Sequence, residues 1–256
     1  MQQDQSKESE TSLAPEELRI ADRDIKWIAE LTEITHSLGG TLVVMGGYAV
    51  EALTGGKITR PHDDVDLEFY LPQDCDLDKL SEAYMEAINP NHSDQWKKTL
   101  LPDKNFLEYR NDSGSKLQKI EGYTFKLSPN PPSEYPDRLA VRVRKSNGME
   151  YEMPLESVVL IDSEGKPHQV YTQALNEFTA LKMQRLMSQE VKPESRQFKA
   201  SDHDDLKKLV TMPEFSKTEA IEMLTGTLAE EEETNLEEAR QQALSIVSQS
   251  LKDLGL

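Results

Sequence analysis

The fold of this chain is decided by Gly46-Gly47-Tyr48-Ala49-Val50-Glu51 and, shortly after it, Thr59-Arg60-Pro61-His62-Asp63-Asp64-Val65-Asp66-Leu67. The preceding run, residues 41–45, is short, apolar and β-branched, which predicts a buried strand that ends at the two glycines. Glycine accepts a positive φ and lets the backbone approach a ligand closely. A helical pattern resumes from Tyr48 to Thr54. Because a helix N-terminus after a glycine turn favours an anion, this segment predicts phosphate binding.

The second half of the motif predicts a strand with two different faces. Side chains alternate along a strand, so residues 64–69 form an apolar face and an anionic face made of Asp64, Asp66 and Glu68. Like charges so close together favour a hard cation such as Mg²⁺. The alternative is a solvated edge strand whose charges discourage aggregation. The upstream glycine turn and the intervening Arg60 and His62 favour the metal site.

These residues resemble a known family. The pattern Gly-Gly-Tyr-Ala-Val-Glu, followed by Gly-x-x-Thr-Arg-x-His-Asp-Asp-Val-Asp-Leu, is similar to the nucleotidyltransferase fold of the polymerase-β superfamily, most closely its aminoglycoside and lincosamide branch. Tyr48 stands where that branch has Trp, Glu51 stands where it has Asp, and the connecting segment is about one residue longer. The resemblance covers residues 41–70.

The resemblance implies a role for each matching residue. Gly46 and Gly47 would hold the triphosphate of ATP or another NTP, while Asp64 and Asp66 would be catalytic and would ligate Mg²⁺. Asp63 points away by strand alternation and is left out of the ligand set.

Cations are also expected near the phosphates. The resemblance implies that Arg60 and His62 line the phosphate side, although a histidine before an acidic strand can also be a hydrogen-bonded turn residue. A helix predicted over residues 173–189 carries Lys182 and Arg185 on its polar face. By resemblance Lys182 would reach the nucleotide, whereas the alternative is a solvated cation beside an apolar stripe.

Enzymes of this fold use a third carboxylate on a neighbouring strand, and the sequence leaves its identity open. A hairpin is predicted over residues 138–153, with the turn Asn147-Gly148. Its first strand carries Arg142 and Arg144 where the family would offer an aspartate. The substitutes are Glu152, which we expect to be catalytic, together with Glu150 and Glu68.

Composition restricts the partners. The chain has 29 basic and 47 acidic residues and a formal net charge of −18, which opposes a broad nucleic-acid footprint. The same charge suits a cationic small-molecule acceptor. A single cysteine, Cys75, excludes an intrachain disulfide and fits a reducing compartment. The sequence has neither a signal-peptide pattern nor an apolar run of ~20 residues, so a cytoplasmic protein without a membrane span is expected.

The expected fold class is α+β, with a nucleotidyltransferase-like mixed sheet, helices packed on one face and a helical region at the C-terminus. We expect a disordered N-terminus over residues 1–13, a nucleotidyltransferase domain over 14–172 and a C-terminal helical domain with an acidic segment over 173–256.

The expected function is Mg²⁺-dependent transfer of a nucleoside monophosphate, AMP from ATP, to a hydroxyl of a small molecule such as an aminoglycoside or lincosamide. Antibiotic resistance would follow from such an activity. One alternative is a toxin-type nucleotidyltransferase that acts on tRNA or protein. Another is a nucleotide-binding protein with weak or no catalysis, suggested by the arginines in place of the third carboxylate.

Overall fold

The computed structural model describes residues 13–90, 96–101, 106–111, 118–129, 139–144, 150–191, 200–231 and 235–256. Disorder is expected over residues 1–13, of which only Leu13 lies within these ranges; residues 1–12 and the Asn147-Gly148 turn lie outside them. The helices are α1 (Pro15–Ser37), α2 (Gly46–Leu53), α3 (Leu77–Ile88), α4 (Leu175–Val191), α5 (Ala200–Val210), α6 (Lys217–Glu231) and α7 (Leu236–Asp253). The strands are β1 (Thr41–Val44), β2 (Val65–Leu71), β3 (Trp96–Leu101), β4 (Phe106–Asn111), β5 (Gln118–Lys126), β6 (Ala140–Arg144), β7 (Glu150–Ile161) and β8 (Pro167–Gln173).

Local sequence explains where the first helices begin. Pro15 opens α1, and the Glu17 carboxylate accepts a hydrogen bond from the Ala14 N–H at 2.9 Å. Asp76 caps α3 by accepting hydrogen bonds from the backbone N–H groups of Asp78 and Lys79. The sequence predicts helices over residues 15–37 and 76–88, and the structure has them at Pro15–Ser37 and Leu77–Ile88.

The main sheet is mixed, which confirms the expected α+β class. Its strand order is β1-β2-β5-β4-β3, and β2 runs parallel to β5 while the other neighbours are antiparallel. Helices α1 and α3 pack on one face, where Ile28, Leu67 and Tyr84 belong to the same buried core. β3, over residues 96–101, was not anticipated from the sequence.

The opposite face of the main sheet is covered at one end by a second sheet. This sheet is antiparallel with the order β6-β7-β8. It packs on β1 and β2 through a small core that contains Val43, Tyr70, Val141 and Met153. The sequence suggested separate strands at 149–153 and 157–161, but β7 runs unbroken through Pro154. The uncovered end of this face carries Asp64 and Asp66.

The four helices after β8 form a further packed group. Their shared core contains Met183 of α4, Leu206 of α5, Leu224 of α6 and Val247 of α7. The helical character expected after residue 173 is therefore confirmed for the described residues, whereas a domain boundary at that position remains a prediction. No helix within the described ranges is both long enough and apolar enough to cross a membrane.

Candidate functional site

Three carboxylates converge at the uncovered end of the main sheet. Asp64 precedes β2, Asp66 lies on β2 and Glu121 lies on β5, and each offers an oxygen within 4.8 Å of the others. The parallel register places Asp66 directly opposite Glu121. Because residues paired in register point to the same side of a sheet, the two strands deliver their carboxylates to one place. We call Asp64, Asp66 and Glu121 the carboxylate trio.

One ammonium group lies among these three acids. The Nζ atom of Lys119 is 2.7 Å from Glu121 Oε1 and 3.4 Å from Asp64 Oδ2. Burial, followed by the charges of Asp64 and Glu121, raises the pKa of Asp66 to about 6. Lys119 therefore offsets only part of the negative charge. The donor set is all oxygen and carries an excess of negative charge, which fits a hard divalent cation such as Mg²⁺.

The glycine turn lies against the trio. Gly46 has a φ of +60°, in the left-handed region that favours glycine. A Cβ atom at this position would overlap the Asp66 carboxylate, so no larger residue fits without displacing that group. The Met45 N–H donates a 2.9 Å hydrogen bond to the backbone carbonyl of Asp66. The N-terminus of α2 is thereby fixed beside Asp66.

Gly47 is restricted from the other side. A Cβ atom there would overlap the His62 ring and lie 3.0 Å from Nη2 of Arg60. The His62 side chain is only 3% exposed, its ring lies 4.4 Å from the Tyr48 ring, and its Nε2 is 3.5 Å from Glu51. The structure thus places His62 beneath the turn, as a support for Gly47. Direct nucleotide contact by His62 and its alternative role as a hydrogen-bonded turn residue both remain predictions.

Arg60 and Lys182 come together at a single acid on α5. The Asp205 carboxylate accepts hydrogen bonds from Nε of Arg60 at 3.1 Å and from Nη2 at 2.8 Å. It also lies 3.3 Å from Nζ of Lys182, whose ammonium is at the same distance from Asp202. The sequence Asp202-His203-Asp204-Asp205 predicts the capped start of a helix, whereas α5 begins at Ala200 and both acids lie within it. Arg185 also acts on the trio, because its charge favours ionisation of Asp66.

Glu68 lies deeper in the fold. Tyr70 donates a hydrogen bond to its carboxylate, and the same hydroxyl is 3.5 Å from the Met153 sulfur in the second sheet. Burial raises the pKa of Glu68. Burial and the charge of Glu68 raise the pKa of Glu177, at the start of α4, to about 7. Glu68 therefore belongs to a buried group under the second sheet and not to the trio.

Glu150 and Glu152 lie in the second sheet. Glu150 is paired with Arg142 at 3.4 Å, and Glu152 stands opposite Arg142 in the register of β6 and β7. Neither belongs to the acidic group that could hold a metal among the described residues. The third carboxylate at this position is Glu121, which sequence reasoning missed. The available signal was the two-residue alternation that places Lys119 and Glu121 on one face of β5.

Comparisons with known proteins give a distant likeness. No family model matches the chain, and no curated protein matches it. One similar solved structure is the CD-NTase CdnG of Bradyrhizobium diazoefficiens in complex with GTP. The identity is 11%, the match covers 84% of this chain and 67% of that chain, and the TM-score is 0.27.

Proposed function

We propose that the protein transfers a nucleoside monophosphate from an NTP to an acceptor hydroxyl and releases pyrophosphate. The main support for this proposal is that the carboxylate trio lies directly against the Gly46 turn. An oxygen-only site for a divalent cation therefore adjoins a helix N-terminus suited to phosphate. ATP, with AMP as the transferred group, is the expected donor by the resemblance of residues 41–70.

In the proposed reaction the acceptor oxygen attacks the α-phosphorus and the bond between that phosphorus and the bridging oxygen breaks. Pyrophosphate carries away the electron pair, and the hydroxyl proton passes to a base. A divalent metal held by Asp64, Asp66 and Glu121 would supply charge neutralisation at the phosphate. Glu121 is also placed to accept the proton, because it projects from the neighbouring strand. A positioned general base contributes about 10²–10⁴-fold to the rate.

The chain's own residues would also stabilise the departing pyrophosphate. Unpaired N–H groups at the start of α2 and the helix dipole favour negative charge beside Gly46 and Gly47. Arg60 lies at Gly47, and Lys182 shares the Asp205 carboxylate with it. Preorganised donors of this kind stabilise developing charge without rearranging at the moment of reaction.

We further propose a small-molecule acceptor with cationic character. The net charge of −18 favours attraction of such a molecule and disfavours a long nucleic-acid footprint. An aminoglycoside or lincosamide is the first acceptor class to test, with antibiotic resistance as the consequence in a cell.

The binding-only alternative has lost its original support. It was suggested by Arg142 and Arg144, which occupy strand positions where the family would offer an acid. Glu121 supplies a third carboxylate from a different strand. A toxin-type reaction on tRNA or protein uses the same proposed site and differs only in the acceptor.

The proposal is tested by following pyrophosphate release from each NTP with Mg²⁺, with and without a panel of aminoglycosides and lincosamides. The matched controls are Asp64→Asn and Asp66→Asn, which should abolish release, and Asp63→Asn, which should retain it. Acceptor-dependent release that is lost only in the first two variants supports the proposal. Equal release by Asp66→Asn and the wild type would refute the assigned site.

A further inference from the structure

The Asp205 carboxylate is almost completely buried, at 2% side-chain exposure, and lies between two cations. It accepts two parallel hydrogen bonds from the Arg60 guanidinium and lies 3.3 Å from the Lys182 ammonium. Paired N–H bonds from one guanidinium fix both the distance and the plane of the group. A long, flexible side chain is thereby restricted to one orientation.

This orientation leaves hydrogen-bonding capacity towards the glycine turn. The Asp205 carboxylate accepts the single N–H of Arg60 Nε and one of the two N–H groups of Nη2. The same Nη2 atom lies 3.0 Å from where a Cβ atom at Gly47 would be. Among the described residues, no other group accepts a hydrogen bond from Nη2, so its second N–H is held next to the start of α2. Lys182 likewise has three donors for its two carboxylate partners, Asp202 and Asp205.

We propose that Asp205 is a positioning residue that holds Arg60 and Lys182 for the triphosphate of the NTP. This inference rests on the proposed function. Asp205 itself is not expected to contact the triphosphate, because both groups are negatively charged. Counted with Asp202, the second partner of Lys182, these four side chains carry no net charge. The arrangement would therefore bind an anion through the donors that Asp202 and Asp205 leave available.

Two other roles for Asp205 predict different results. If the carboxylate merely neutralised the cations, its removal would expose positive charge and tighten NTP binding. If it merely docked α5 on α2, then removing Lys208 should have the same effect, since Lys208 of α5 contacts Glu51 at 3.6 Å and also bonds Thr59. The positioning role alone predicts weaker NTP binding that is specific to Asp205.

The experiment measures the dissociation constants of ATP and GTP, each with Mg²⁺, for full-length variants of similar thermal stability. Asp205→Asn keeps the size of the side chain and removes the charge. We expect it to weaken binding about tenfold or more, since small misplacements of binding groups have effects of this order. Lys208→Gln is the control, and it should change affinity less than about threefold.

A double-mutant cycle separates positioning from general damage. Asp205 is proposed to act mainly through Arg60. In an Arg60→Gln background, the change in log Kd caused by Asp205→Asn should therefore be less than about half of its value in the wild-type background. If Asp205→Asn is too unstable to assay, the partner residue is changed instead. Arg60→Lys keeps the positive charge but cannot form the paired hydrogen bonds to Asp205, so it should weaken NTP binding by a similar factor.

The outcomes separate this inference from the proposed function. Weaker binding by Asp205→Asn, together with non-additivity with Arg60→Gln, supports the positioning role. Unchanged or tighter binding by Asp205→Asn, or an equal loss in Lys208→Gln, overturns the positioning role and leaves nucleotide binding intact. Absence of NTP binding by the wild type would overturn the proposed function and this inference with it.

Discussion

Replacing Asp66 with Asn should stabilise the metal-free protein while removing its metal site. Burial and two neighbouring acids raise the pKa of Asp66 from 3.8 to about 6. The ionised carboxylate is therefore disfavoured in the folded state. Each pH unit corresponds to ~1.36 kcal/mol, so at pH 8 the ionised group costs about 3 kcal/mol, which the neutral amide avoids. For a chain of 256 residues this is roughly a 5 °C rise in the unfolding midpoint.

The stabilisation of the metal-free protein by Asp66→Asn should increase with pH. A raised folded-state pKa for an acid means that the wild type loses unfolding free energy as the pH rises from about 4 to about 6. The advantage of Asp66→Asn should therefore be full at pH 8 and should shrink at pH 5, where the wild-type group is protonated.

Thermal unfolding in EDTA and in Mg²⁺ tests both halves of the prediction. The wild type should gain stability from Mg²⁺, by about 2.7 kcal/mol at one hundred times the dissociation constant, and Asp66→Asn should gain none. The exposed neighbour Asp63 supplies the matched control, Asp63→Asn, which should behave as the wild type. A lower midpoint for metal-free Asp66→Asn, or equal Mg²⁺ stabilisation of both proteins, would refute the reasoning.

Three further predictions concern the neighbours of Asp66. Lys119→Gln removes an ammonium that competes with the metal for Glu121, so the Mn²⁺ affinity measured by titration calorimetry should rise by about fivefold; a fall would contradict this. Gly46→Ala forces a Cβ atom against Asp66 at a positive φ. This should lower the free energy of unfolding, measured by chemical denaturation, by about 1–2 kcal/mol and the transfer rate by at least about 100-fold. Wild-type values for both would contradict this. Glu121→Gln should lower the transfer rate by at least about 100-fold while Glu152→Gln leaves it near the wild-type rate, and the reverse order would restore Glu152 as the catalytic acid.

Local patterns were sufficient to predict the half of the site that is local in the chain. The positions of Gly46 and Asp66 follow from a strand, a turn and the two-residue alternation of side chains, and the structure brings them into contact. Glu121 required the parallel pairing of β2 with β5, and no short-range pattern encodes which strands become neighbours. The choice of Glu152 relied on the most conspicuous turn signal in the chain, but its strand joined a different sheet.

The same limit applies to the phosphate side. Arg60 and Lys182 were both proposed from the resemblance, Lys182 also from its position on a predicted helix, and their contact with a nucleotide remains a prediction. Their link through Asp205 spans 145 residues for Arg60, and the helix carrying Asp205 looked like an ordinary capped helix. A buried acid at a position described by capping rules becomes recognisable only when its partners are in place.

We propose that Asp64, Asp66 and Glu121 together hold a divalent metal that supports nucleotidyl transfer. The most direct test is Mn²⁺ binding followed by electron paramagnetic resonance, with a non-hydrolysable ATP analogue, in the wild type, Glu121→Gln and Glu152→Gln. A bound Mn²⁺ signal is expected in the wild type and in Glu152→Gln, with at least about tenfold weaker binding in Glu121→Gln. Equal Mn²⁺ affinity in the wild type and in Glu121→Gln would contradict it.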